Sequence, residues 1–204
     1  MYSNNADPFF TKESLSKGIG VLNKLWKKDV TPKRLWPHYI LTWYLLHSGN
    51  LRKASKNIGR TRNQNILILN GVLGAKKIYP LRRKYLAFKN EHPTQSFETN
   101  FNEIWESSGL KPTLSFGQNR GLISLWITGF PLENITAAFY LWAIRSGKDR
   151  KWIMDKLNQT SRYSFYYFRK NCLKRFVELE TWLEPLRPMM DDFYYPFPSG
   201  RPKK

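Results

Sequence analysis

The chain of 204 residues contains a single cysteine, Cys172. One thiol closes no intrachain disulfide and builds no cysteine-rich zinc site, a usage consistent with a reducing interior. Long apolar runs are also missing: "ILILNGVLG" falls far short of the roughly twenty residues that cross a bilayer. The opening "MYSNNADPFF" has neither the basic region nor the apolar core of a secretory leader. No glycine-rich phosphate loop occurs, because "GLISLWITGF" has neither the spacing nor the lysine. His38, His47 and His92 lack metal-ligand spacing. The tyrosines of "YSFYYF" have no His-x-x-Arg companion of the recombinase kind, and Asp149 and Asp155 sit in a basic stretch suited to capping and solvating a helix. These absences lead us to expect a cytoplasmic protein that is not an enzyme, with no metal, no cofactor and no membrane partner.

Acid is the other scarcity. Lys and Arg number 34 against 15 Asp and Glu, a net charge of +19. Between Asp29 and Glu91 there is no carboxylate, while Lys33, Arg34, Arg52, Lys53, Lys56, Arg60, Arg62, Lys76, Lys77, Arg82, Arg83, Lys84 and Lys89 all fall in that window. Such self-repulsion is most readily relieved by a polyanion, and nucleic acid is the commonest one. A merely solvated helical face would carry some Glu beside its Lys for i,i+4 pairing.

What is present is mostly helical in period. "WPHYILTWYLLHS" sets Trp36, Ile40, Trp43, Tyr44 and Leu46 in a stripe, and "LENITAAFYLWAIRS" does the same with Leu132, Ile135, Phe139, Trp142 and Ala143. No alternating run bounded by hairpin turns appears. The expected fold is all-α, with two small helical domains, each holding a helix-turn-helix-like unit, and an irregular basic tail. We place an N-terminal helical domain at 1–89. A polar, mildly acidic connector at 90–117 has one amphipathic helix around Phe97 to Trp105. A second helical domain spans 118–186, and a flexible tail 187–204.

The stretch "SGNLRKASKNIGRTRNQ" carries the functional expectation. Asn50 suits an N-cap and Ala54 and Ile58 share one face. Gly59 suits a helix C-terminus that needs positive φ, and Thr61 can cap a second helix with Ile66, Leu69 and Val72 or Leu73 turned inward. Two helices around a tight turn, behind a supporting helix, form a helix-turn-helix.

From about Leu41 to Leu73 the chain resembles the Fis-type helix-turn-helix family, through Gly49, Asn50, Ala54, Gly59 and Arg62 in register, with Ser55 and Ile58 as mild substitutions. Arg60 stands where the family has Ile, Gln64-Asn65 where it has Thr-Leu, and Ile66 and Leu67 where it tends to be basic. The resemblance implies double-stranded DNA as the partner. Base reading would then fall to the start of the recognition helix, at Thr61, Arg62, Asn63 and Gln64. Arg pairs bidentately with guanine, Asn or Gln with adenine, and the helix N-terminus attracts a phosphate. Lys53, Lys56, Arg60, Lys76, Lys77, Arg82 and Arg83 would add contacts, mainly to the backbone.

A degenerate second copy follows, with Asp149 matching Asn50, Ile153 matching Ala54, Leu157 matching Ile58 and Thr160 matching Thr61. It would present Gln159, Ser161, Arg162, Tyr163 and Tyr166, then Arg169 and Lys170. Two such units in one chain could occupy successive major grooves. A packed aromatic helix with a charged edge accounts for the same residues, and surface tyrosines also suit unpaired bases. The terminus "PSGRPKK" (198–204) resembles an AT-hook through Gly200, Arg201, Pro202, Lys203 and Lys204, with Ser199 where a basic residue is usual. Such a hook implies a minor-groove contact in A·T-rich DNA. The acidic segment 178–192 suits docking on RNA polymerase or another protein, or folding over the chain's own basic face. An ordinary helix end explains it equally. The expectation is a DNA-binding transcriptional regulator associated with the nucleoid. An architectural DNA-binding protein and an RNA-binding protein are the alternatives, and the target site and oligomeric state stay open.

Overall fold

A computed structural model describes residues 12–66, 78–130 and 132–183, all helix, turn or irregular chain, with no strand among the described residues. The helices are α1 Lys12–Lys27, α2 Pro32–Leu46, α3 Leu51–Ile58, α4 Ile78–Glu91, α5 Phe97–Ser108, α6 Phe116–Ile127, α7 Leu132–Arg145, α8 Arg150–Lys156 and α9 Arg162–Leu183. Residues 62–66 are also helical. The fold is all-α. Its chain divides into two compact units, Met1–Ile135 and Thr136–Lys204.

The first unit is organised around α2. Pro32 takes the first helical position, where its missing N–H costs nothing. From Leu35 to Leu45 nearly every side chain is buried, so α2 is enclosed around most of its circumference rather than along the expected stripe alone. Leu46, placed in that stripe, is exposed. Helices α3, α5 and α6 pack on α2, and α1 packs along α6. Two glycines set that last crossing. A Cβ on Gly18 would overlap the Leu125 Cβ, and one on Gly121 would come within 2.7 Å of a Val21 methyl.

A buried polar chain runs through this core. His38 on α2 accepts a hydrogen bond from the Trp126 indole at 2.9 Å. Its other ring nitrogen lies 2.8 Å from Asn119 Oδ1. Asn119 donates to Asn102 at 2.6 Å, and Asn102 donates to Glu106 at 3.0 Å. One strut thus links α2, α6 and α5 and ends at the surface. Each buried polar group in it finds a partner, as burial requires.

The stretch 90–117, expected to connect two domains, lies inside the first unit and supplies its core. Phe101, Ile104 and Trp105 of α5 are almost fully buried, and the rings of Phe101 and Trp105 meet His38 edge-on. The acidic residues that suggested a connector, Glu103 and Glu106, occupy the outer face of that helix. Polar composition and core membership coexist because only one helical face has to be apolar.

In the second unit Phe139 and Trp142 of α7 pack with Trp152 of α8, and Tyr140 meets Phe165 and Phe168 of α9 edge-on. Phe165 and Cys172 face inward along α9. Burial pushes the Cys172 thiol up to about 12, which keeps it protonated and unreactive at neutral pH.

Candidate nucleic-acid interface

The opening of α3 forms as its side chains dictate. Asn50 adopts an extended backbone and accepts from the Lys53 amide at 3.1 Å. Ahead of it, Ser48 and Gly49 both take positive φ, and the Gly49 amide bonds to Tyr44 O at 2.8 Å, closing the C-terminus of α2. Ala54 and Ile58 are buried, and α3 packs on α2 through this face. His47 at the end of α2 reaches Asn57 at 2.9 Å, a second tie between the two helices. Gly59 then ends α3 in the left-handed region at φ 76°, where a side chain would be strained.

Thr61 and Gln64 start the next helix as a reciprocal cap. The Thr61 amide donates to Gln64 Oε1 at 3.0 Å, and the Gln64 amide donates to Thr61 Oγ1 at 3.3 Å. Asn65 is fully buried and braces the turn, donating to Ser55 Oγ at 3.0 Å and to the Arg60 carbonyl at 3.4 Å. Asn65 was not expected to have a role. Its signal was a polar residue at the inward position next to Ile66, which reads as a family mismatch until Ser55 is seen opposite.

The basic residues separate into two kinds. Lys53, Lys56, Arg62, Asn63 and Arg83 are exposed. Arg60 is engaged inside the fold: its Nε lies 3.2 Å from Glu133 Oε1, with the two side chains only 26% and 32% exposed, and its guanidinium lies over the Trp36 ring. It is thereby committed to the first unit's own stability. Arg82 is half-buried and donates from Nε to Ser48 O at 3.0 Å. Thr61 and Gln64 are exposed, but their polar atoms are largely occupied by the cap, so Arg62 and Asn63 are the freer polar groups at this helix start. Lys76 and Lys77, and the inward positions Leu69, Val72 and Leu73, lie outside the described residues.

The second copy differs in its turn. Asp149 caps α8, accepting from the Trp152 amide at 2.8 Å, and Ile153 is buried. Between α8 and α9 the chain takes residues 157–161, against 59–61 in the first copy. Asn158 supplies the positive φ that Gly59 supplies earlier. Ser161, rather than the expected Thr160, makes the cap: its Oγ accepts from the Ser164 amide at 3.0 Å. Gln159 is half-buried beside the Leu157 carbonyl.

Beyond that cap α9 presents one uninterrupted face. Arg162, Tyr163, Tyr166, Tyr167, Arg169 and Lys170 are all exposed, Tyr163 at 71% and Tyr166 at 61%. The Tyr163 hydroxyl bonds to that of Tyr167 at 3.1 Å, and their rings meet edge-on. Phe165 and Cys172 turn the other way.

The AT-hook-like residues Gly200, Arg201 and Pro202 lie outside the described residues, as does the acidic segment beyond Leu183. Among the described residues no cluster of His, Cys, Asp and Glu could hold a metal, and no single helix is long and apolar enough to cross a membrane. No family model, curated protein or solved structure matches the chain.

Proposed function

We propose that this protein is a double-stranded DNA-binding regulator that reads the major groove through residues 50–66. The observation that carries the reading is Arg62 and Asn63, exposed at the start of a capped helix, beside exposed Lys53 and Lys56 on α3. That helix start combines a charge-bearing fork for guanine, an amide side chain for adenine and the positive end of a helix for a phosphate. The lysines would contribute affinity that depends on salt but not on sequence. The Gly200–Pro202 tail would add a minor-groove contact, and association with the nucleoid follows from the same charge.

Selection from random duplexes tests the reading: a regulator returns a motif, whereas an architectural binder returns only an A·T bias. Arg62→Ala should then cost about 1–3 kcal/mol and relax preference at one base pair. Lys56→Ala should weaken all duplexes alike and lower the salt slope by about one. Unchanged selectivity in Arg62→Ala would remove this helix from the reading.

A second reading has its own support in the tyrosine face of α9. Exposed tyrosines interleaved with Arg162, Arg169 and Lys170 suit stacking on unpaired bases, which makes RNA or single-stranded DNA the partner of the second unit. Tyr163→Ala with Tyr166→Ala should then weaken single-strand binding more than duplex binding.

A further inference from the structure

A cavity of about 450 Å³ opens in the first unit where the end of α2, the turn into α3, the helix start at 62–66 and the first turn of α4 converge. Arg52, Arg62 and Arg82 line it together with Tyr44, Tyr79 and Ile78, and no carboxylate does. Three guanidinium groups drawn from three separate segments repel one another unless an anion joins them. None of the three has an ion-pair partner among the described residues.

The local backbone is shaped to bring one of these groups in. Arg82 is held by its bond to Ser48 O. It lies directly against Gly49, where any Cβ would overlap the Arg82 side chain. Gly49 therefore serves both its positive φ and the close approach of an arginine. Asn50 and Leu51, at the N-terminal end of α3, also border the cavity. Tyr79, at 67% exposure, offers a ring face beside the charges. Tyr44 keeps its proton, because burial raises its phenol above the usual value while Arg82 pulls the other way.

We propose that this groove binds a phosphate ester next to a planar or apolar group. Arginine forks grip the phosphate oxygens in pairs, Tyr79 takes the planar group, and Ile78 and Leu51 form the apolar floor. The volume lies within the range of about 300–1,000 Å³ usual for small-ligand sites. The ester can come from a free mononucleotide or from the backbone of a bound nucleic acid. Arg62 belongs to this groove and to the duplex-reading helix start, so a free ester would compete with duplex; that consequence and the backbone source of the ester rest on the proposed function, whereas binding of a free ester does not.

The test has two arms at constant ionic strength. In the first, the full chain labelled with ¹⁵N is titrated with AMP without duplex. Saturable shifts confined to amides of residues 49–52, 62–66 and 78–82, weakened tenfold or more in Arg52→Gln, assign the groove to a free ester. In the second, duplex affinity is compared between the wild type and Arg52→Gln. A loss there, with AMP silent, assigns it to backbone phosphate. No saturation in the first arm and equal duplex affinities in the second overturn the proposal, as do AMP shifts spread evenly over the basic surface. Saturation by AMP in a protein that binds no duplex keeps the groove and removes the duplex reading. Arg62→Gln serves as a second variant, since Arg62 is exposed at a helix start and has no ion-pair partner among the described residues.

Discussion

Acidification should destabilise the first unit through His38. The Trp126 indole nitrogen can only donate, so the His38 Nδ1 it reaches at 2.9 Å must be an unprotonated acceptor. The proton of the neutral ring therefore sits on Nε2 and points at Asn119 Oδ1, 2.8 Å away. A second proton would face the indole N–H and break that bond. Burial, opposed in part by the Asn119 hydrogen bond, holds the imidazole down at about 4 from its ordinary 6.5. The folded state thus binds the proton less readily than the unfolded chain. Stability from this group is complete above about 6.5 and is lost as pH falls toward about 4. The gap corresponds to about 3 kcal/mol, with a slope of at most about 1.4 kcal/mol per pH unit. That is a large share of the about 5–15 kcal/mol that holds a typical domain together. His38→Gln retains a donor and an acceptor but does not titrate across this window. Urea unfolding followed by tryptophan fluorescence should show the wild type losing stability relative to His38→Gln as pH drops from 6.5. Carboxylates common to both chains cancel in the difference. Parallel stability curves for the two proteins would refute the tautomer and the buried strut with it.

The other expectations are as direct. Arg60→Ala should cost about 1 kcal/mol in unfolding experiments, from a partly buried ion pair and a cation–π contact, while leaving duplex affinity nearly unchanged; a loss of affinity larger than the loss of stability would return Arg60 to the proposed interface. Gly18→Ala should destabilise the protein by about 1–3 kcal/mol despite alanine's better helix propensity, because the added Cβ overlaps Leu125; a raised melting temperature would contradict the close α1–α6 crossing. Cys172 should react with a thiol reagent only at the rate of unfolding, and rapid labelling of the native chain would show that its burial on α9 is wrong.

Much of the local structure of residues 50–66 was legible in the residues because caps are local. Asn50 with Lys53, Gly59 after Ile58, and Thr61 with Gln64 each act over three residues or fewer, so side-chain chemistry and backbone strain decide them without help from the rest of the fold. The helical class was similarly local, resting on the spacing of apolar residues. The charge asymmetry, too, belongs to composition alone. Thr160 shows the limit of local reading. Two adjacent hydroxyls can each cap a helix, and the longer turn after α8 selected Ser161.

Tertiary structure decided what each polar group is used for. Arg60 looked like one more cation of a basic loop until Glu133, 73 positions along the chain, came within 3.2 Å of it. His38 and Trp126 are separated by 88 residues, yet their bond fixes a tautomer. The residues 90–117 looked polar and became core, because the amphipathic α5 needs only one apolar face to join it. The arginine-lined groove draws on segments from Tyr44 to Arg82, and no spacing in the chain announces it. Local bonding is written in neighbouring residues. Which distant charges and rings meet depends on how helices pack, and packing is a property of the whole unit.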